Sequence, residues 1–170
     1  MAFRRESPLR GRRLRIDEAL FERFAMSRAG DFLSLHIMPR IDKVLIPRTN
    51  GRLSAMGVDK VGLVTAIGAK SGQPRTLPLS LIDDEDGLLA IGSNYGRPTH
   101  PAWSANLLAN PECTIEFRGP PAAYRAEVLS GQARADAWAT AVDSYPGYAN
   151  YRTLCAPREI RVFRLRPFDG

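Results

Sequence analysis

VGLVTAIGAKSGQPRTLPLSLI, residues 61–82, decides the fold. Val61 to Ile67 and Thr76 to Ile82 are short apolar and β-branched runs, with Gly68, Gly72 and Pro74 punctuating the stretch between them. Runs of this length divided by Gly and Pro read as strands joined by a turn. Downstream, Asp83-Asp84-Glu85-Asp86-Gly87 ends in the Asp-Gly pair of a hairpin, and Leu88 to Ser93 is the return strand. Cys113 to Phe117 and Ala123 to Leu129 flank Gly119-Pro120-Pro121 as a further hairpin, and Ile160 to Leu165 is a last strand. Helices are predicted from Ala102 to Ala109, stopped by Asn110-Pro111, and from Gly131 to Ser144, where Trp138, Ala141, Val142 and Tyr145 recur at helical spacing. Upstream, Asp17 is an N-cap for a helix to about Arg28. Asp31 to Met38 and Arg40 to Ile46 add helical segments before the loop Thr49-Asn50-Gly51-Arg52. The expectation is an α+β, mainly β fold: about six mostly antiparallel strands forming a small barrel, with N-terminal helices and two interposed helices.

The 170 residues suffice for one domain with a substantial core, and an apolar fraction of 44% is ordinary for a globular chain. The net charge of +6 is unevenly distributed: residues 1–15 hold six arginines and one acid, so about +1 is left for the rest. The organisation expected is therefore a basic arm over residues 1–16 and a single domain over residues 17–170. Such an arm suits peripheral contact with an anionic membrane or a solvated tail. No nucleic-acid partner is expected, because the remainder is nearly neutral and shows no basic-aromatic RNA motif. No run approaches the ~20 apolar residues of a spanning helix, and the N-terminus lacks a secretory apolar stretch, so a cytoplasmic location is expected. Cys113 and Cys155 lack C-x-x-C spacing, and with only His36 and His100 beside them no metal site is expected.

Side-chain chemistry is sparse. There is no G-x-S-x-G elbow, no P-loop and no G-x-G-x-x-G. The acids at 83–86 crowd one turn, where a solvated face is the natural reading. If the chain is an enzyme, a bound organic cofactor carries the difficult step. Three clusters bear on this. Lys70, Ser71 and Arg75 place two cations and a hydroxyl around Gly72, which suits an anion but also suits a polar hairpin turn. Trp103 and Asn106 share a helix face, offering stacking and hydrogen bonds to a flat ring, or a core indole and a local cap. Tyr145, Tyr148 and Tyr151 recur every third residue, as one wall of a pocket or as packing.

In order and spacing, K-S-G-x-P-R-x-x-P-L (70–79), S-x-x-G-x-x-x-x-P-x-W-x-x-N-L-x-x-N-P (93–111) and Y-P-x-Y-x-x-Y (145–151) resemble the deazaflavin-dependent nitroreductase family of actinobacteria. The resemblance covers roughly residues 60–167. It implies a split β-barrel and coenzyme F420, an 8-hydroxy-5-deazaflavin carrying a phosphate and a glutamate tail, with FMN as second choice. Carried onto this chain, it places Lys70, Ser71 and Arg75 at the phosphate and tail. Pro78, Ser93, Asn94, Gly96, Pro101, Trp103 and Asn106 would then surround the ring and ribityl chain. Ser80, Tyr145, Tyr148 and Tyr151 would face the substrate, with Tyr148 as proton donor. The activity implied is an F420H2-dependent reductase of an enone, quinone or nitro compound; the alternative is a non-catalytic flavin or deazaflavin carrier. A homodimer follows by analogy. The chain departs from the family pattern at Asn94, where lysine is common, at Tyr95, where glycine is frequent, and at Ser80, where an aromatic is frequent.

Overall fold

The computed structural model describes residues 61–168, together with Ile41, Val44 and Arg48, which are helical. The other expectations for the arm and N-terminal helices lie outside the described residues. Six strands follow in chain order: β1 (Val61–Ile67), β2 (Pro74–Asp84), β3 (Gly87–Ile91), β4 (Glu112–Glu116), β5 (Ala122–Val128) and β6 (Val162–Pro167). All pairings are antiparallel, and the sheet closes in the order β1-β2-β3-β6-β5-β4. Helix α1 (Ala102–Ala109) lies between β3 and β4, while α2 (Gly131–Ser144) and α3 (Gly147–Leu154) lie between β5 and β6.

Two of the helices and the six strands fall where the pattern predicts them. The third helix does not. Tyr145-Pro146-Gly147 reads as a loop because Pro and Gly interrupt the pattern, yet Pro146 stands at the N-cap, where its missing N–H costs nothing. Tyr148 and Tyr151 thereby stand on a short helix of their own.

Strand alternation divides the apolar residues between two cores. Leu77, Leu79, Leu81, Phe163 and Leu165 point into the barrel with Val64, Ile115, Trp103 and Leu107. Ile82, Leu89, Ile91 and Val162 point outward, under Trp138, Ala141 and Tyr148 from α2 and α3. On β2 the even-numbered face is therefore the face these helices cover.

The barrel is closed in topology and split along one edge. Residues 74–80 of β2 pair with β1 and not with β3, whereas residues 81–84 pair with β3. Pro74 and Pro78 sit in the half that has no β3 partner, where a missing donor is tolerated. Arg75, Pro78 and Ser80 all lie along that edge.

β6 is tied to the β2–β3 hairpin by Arg164, whose Nε lies 2.5 Å from Asp84 Oδ2, with side chains only 15% and 11% exposed. Asp86 adds a second carboxylate at 3.4 Å. Removing one member of so buried a pair leaves an uncompensated charge. Arg164→Met should accordingly cost about 3 kcal/mol in urea unfolding, and Arg164→Met with Asp84→Leu should recover most of that loss. Equal destabilisation by the single and double variants would contradict this reading.

Candidate functional site

The first cluster is the β1–β2 turn. Gly68 N–H donates to Gln73 O at 2.9 Å and Gly72 N–H to Gly68 O at 2.8 Å, while Ser71 Oγ accepts from Gln73 N at 3.3 Å. These bonds close the turn upon itself and leave Lys70 and Arg75 exposed. Neither makes any of the ion pairs found among the described residues. The turn is also held from outside. Asn106 Oδ1 accepts from Ala69 N–H at 3.0 Å, and Asn110 Nδ2 donates to Ile67 O at 3.3 Å. Asn106 thus braces the cationic turn from α1.

Trp103 lies one turn earlier on α1 and is a core residue, 8% exposed, with its ring centroid 5.5 Å from that of Phe163. The indole thus packs with the barrel core. Pro101 N-caps the helix, its carbonyl accepting from Ser104 N at 3.1 Å and Ser104 Oγ at 2.9 Å. Ser104 is fully buried, and Arg161 donates to its hydroxyl at 3.2 Å.

The second cluster is the loop after β3. Asn94, Tyr95 and Gly96 have φ of 49°, 55° and 74°, three consecutive residues in the left-handed region. Asn94 Nδ2 donates to Thr99 O at 2.8 Å, which fastens the loop locally. At Gly96 a Cβ would stand 2.8 Å from Leu154 Cβ, so only glycine lets α3 approach here.

The third cluster is aromatic. Tyr145, Tyr148 and Tyr151 pack with ring centroids 5.4 to 6.3 Å apart, and Tyr95 joins them through Tyr151 at 6.1 Å. Tyr145 folds over Gly147 so closely that a Cβ there would enter its ring. Its hydroxyl lies 3.5 Å from that of Tyr151. The three are not equivalent: Tyr145 is 44% exposed, Tyr151 half-buried and Tyr148 only 7% exposed. Burial pushes the Tyr148 hydroxyl up to about 12, with neighbouring Tyr95 and Tyr145 adding to the rise and a hydrogen bond to Ser80 opposing it. That bond ties the buried phenol to the outward face of β2, beside the split edge.

The three clusters thus meet through α1 and α3. The helix α1 has eight residues, or roughly 12 Å of axis, with the 93–101 segment at its start and the cationic turn braced near its end. A ligand lying along it would be flat at one end and anionic at the other. The donor set fits a deazaflavin with a phosphate and acidic tail. Uncompensated cations stand at one end, and loop donors with an aromatic wall stand at the other. Among the described residues no three His, Cys, Asp or Glu side chains converge on a metal position. Cys113 and Cys155 are both buried free thiols, and among the described residues no helix is long and apolar enough to cross a membrane. Arg158, which donates to the 92–97 loop, is a residue that the motifs do not contain.

The family described as F420H(2)-dependent quinone reductase matches residues 39–167. An F420H2-dependent quinone reductase of Mycobacterium tuberculosis is 37% identical over 83 residues, which is 48% of this chain and 55% of that protein. The chain thus spans about half the length of the curated relatives it matches. A solved F420-H2-dependent reductase, FDR-A, superposes with TM-score 0.58 at 34% identity, covering 63% of this chain and 94% of that one. A structure described as a domain-swapped dimer superposes with TM-score 0.61 at 30% identity, over 75% and 94% of the two chains.

The buried phenol has a measurable consequence. Its raised value means that the folded state keeps a proton which the unfolded chain releases above pH 10. The stability this contributes is whole below pH 10 and is lost as pH rises towards about 12. Cys113, pushed up to about 11 by burial, adds a similar loss beginning near pH 9. Thermal melting should fall across pH 10–12, and Tyr148→Phe should flatten the upper part of that fall. An unchanged slope in the variant would place the phenol in water instead.

Proposed function

The chain belongs to the F420H2-dependent quinone reductase family, and from that premise we propose that it binds coenzyme F420 and reduces an electron-poor small molecule, a quinone before an enone or nitro compound. The reduced deazaflavin, when bound, supplies a hydride from C5 to the acceptor. Everything else falls to the chain's own residues. The observation that carries the reading is the combination of an uncompensated cationic turn with a half-buried tyrosine wall on the split side of the barrel.

In this reading Lys70 and Arg75 hold the phosphate and glutamates, Arg75 as a planar fork and Lys70 as a mobile point charge. The Ser71 hydroxyl lies on the same turn and adds a donor. Asn106 acts chiefly by fixing that turn. Pro78 stands on the split edge as a rigid side to the groove. Ser93, Asn94 and Gly96 line the ring and ribityl chain. Pro101 and Trp103 act through the seating of α1, since the indole is in the core.

Tyr145 and Tyr151 form the exposed part of the wall, where an apolar acceptor excludes water from the reacting face. The acceptor oxygen needs a proton as it gains the hydride. The Tyr148 hydroxyl carries its proton at neutral pH, as any phenol does, and its burial beside Ser80 pushes its titration higher still. We assign it the proton-donor role. A serine at position 80, where an aromatic is frequent in the family that the sequence resembles, leaves room beside Tyr148 for a broader acceptor. The basic arm of residues 1–16 suits peripheral contact with anionic lipid, where such acceptors dissolve. The domain-swapped relative supports a homodimer as the form to test.

Fluorescence titration with F420 tests the cation assignment. Lys70→Ala with Arg75→Ala should weaken binding on the order of a hundredfold at low salt, with the deficit shrinking as salt rises. Tyr148→Phe should keep the affinity while slowing single-turnover reduction of menadione by about a hundredfold. Wild-type protein that binds F420 without accelerating its oxidation would make it a carrier and end the reductase reading.

A further inference from the structure

Arg158 belongs to none of the clusters assigned above and lies in the connection between α3 and β6. Its guanidinium donates through three nitrogens to three main-chain carbonyls of one loop. Nη1 reaches Gly92 O at 3.1 Å, Nη2 reaches Ser93 O at 2.7 Å, and Nε reaches Arg97 O at 3.0 Å. The carbonyls bracket Asn94, Tyr95 and Gly96, the three consecutive residues of positive φ. His100 Nδ1 lies 3.5 Å from the same Nη1, so the far end of the segment also abuts the guanidinium. Arg158 takes part in none of the ion pairs found among the described residues.

A half-buried cation without a carboxylate beside it is satisfied here by carbonyl dipoles. The geometry matters as much as the charge. Two of the carbonyls precede the left-handed run and one follows it. A rigid planar fork that engages both sides holds the ends of the run at a fixed separation. Left-handed backbone at Asn94 and Tyr95 is unfavourable for L-residues and persists only where its surroundings determine it. Locally the loop has the Asn94–Thr99 contact and its own turn bonds, Gly96 N to Ser93 O and Arg97 N to Asn94 O, each at 3.1 Å. From further along the chain, Gly92 N–H donates to Arg161 O at 2.8 Å, and Arg158 is the side-chain contribution that engages both ends of the run, 61 to 66 residues away in sequence.

We infer that Arg158 is the positioning residue of the deazaflavin pocket: it fixes the Gly92–Arg97 backbone in the conformation that presents Ser93, Asn94 and Gly96 to the cofactor, without touching the cofactor itself. This rests on the F420 reading above. It also joins two parts of the protein. The connection carrying Arg158 follows the tyrosine helix directly, so this side chain links loop and wall alongside the Tyr95–Tyr151 ring contact and the Gly96–Leu154 approach.

Arg158→Lys is the informative variant, because it keeps the charge and loses the fork. Three readouts are needed. Hydrogen exchange on cofactor-free protein should show segment 92–100 losing roughly tenfold protection while β1, β6 and α2 keep theirs. F420 titration should weaken about tenfold, in line with the loss of charge-assisted hydrogen bonds. KM for F420H2 should rise, while KM for menadione at saturating F420H2 stays within about twofold, a split that general loosening would not produce. Unchanged loop exchange with unchanged F420 affinity overturns the clamp and leaves the cofactor reading standing. Loss of protection throughout the barrel, with both KM values rising, overturns it in favour of a purely structural arginine. Wild-type protein that binds no F420 refutes the cofactor reading, and with it the purpose given to Arg158, whatever the exchange shows.

Discussion

Closure of the sheet by its last strand is the constraint on which everything else depends. β6 pairs with β3 on one side and β5 on the other, joining two hairpin systems that sequence order alone would leave apart. Its alternation serves both cores, with Phe163 and Leu165 inside the barrel and Val162 beneath the helices. The chain arrives at β6 by way of α2, α3 and the connection carrying Arg158 and Arg161. Seating the strand therefore seats the tyrosine wall and the loop clamp together. The Arg164–Asp84 pair adds a charge-assisted tie between β6 and the end of β2.

The distribution of charge follows from that closure. The acidic turn at residues 83–86 reads as a solvated face, yet three of its acids have cationic partners: Asp83 with Arg118, Asp84 with Arg164, and Asp86 with Arg164 and Arg166. Neutralisation is thus concentrated at the β2–β3 end of the barrel. At the β1–β2 turn, Lys70 and Arg75 stand exposed without such partners among the described residues. Two exposed cations close together on one turn suit an anionic ligand, and a braced turn costs such a ligand less ordering.

The barrel was legible because strands and turns are local signals: apolar runs of the right length, Asp-Gly at a hairpin, Gly-Pro-Pro at another. α1 and α2 were legible for the same reason. α3 was not, since Pro146 and Gly147 punctuate a sequence whose helical character depends on packing Tyr148 under Trp138. Of the candidate site residues, those on the β1–β2 turn could be named from composition. Trp103 could not be resolved between core and ring, because its face on α1 is the same in either case and only the barrel interior decides. Asn106 showed its donor and acceptor but not its partner, a main-chain N–H 37 residues away. Arg158 was invisible for a stronger reason: its partners are backbone carbonyls, which leave no trace in residue type.

The account stands or falls on whether the cationic turn reads the anionic end of a deazaflavin. The most direct measurement compares equilibrium affinities for F420, for the same deazaflavin lacking phosphate and glutamates, and for FMN, at low and high salt. The account predicts that F420 binds at least about tenfold more tightly than the phosphate-free deazaflavin at low salt, that this margin narrows as salt rises, and that FMN trails F420. Equal affinity for the two deazaflavins at every salt concentration, or a preference for FMN, would contradict it.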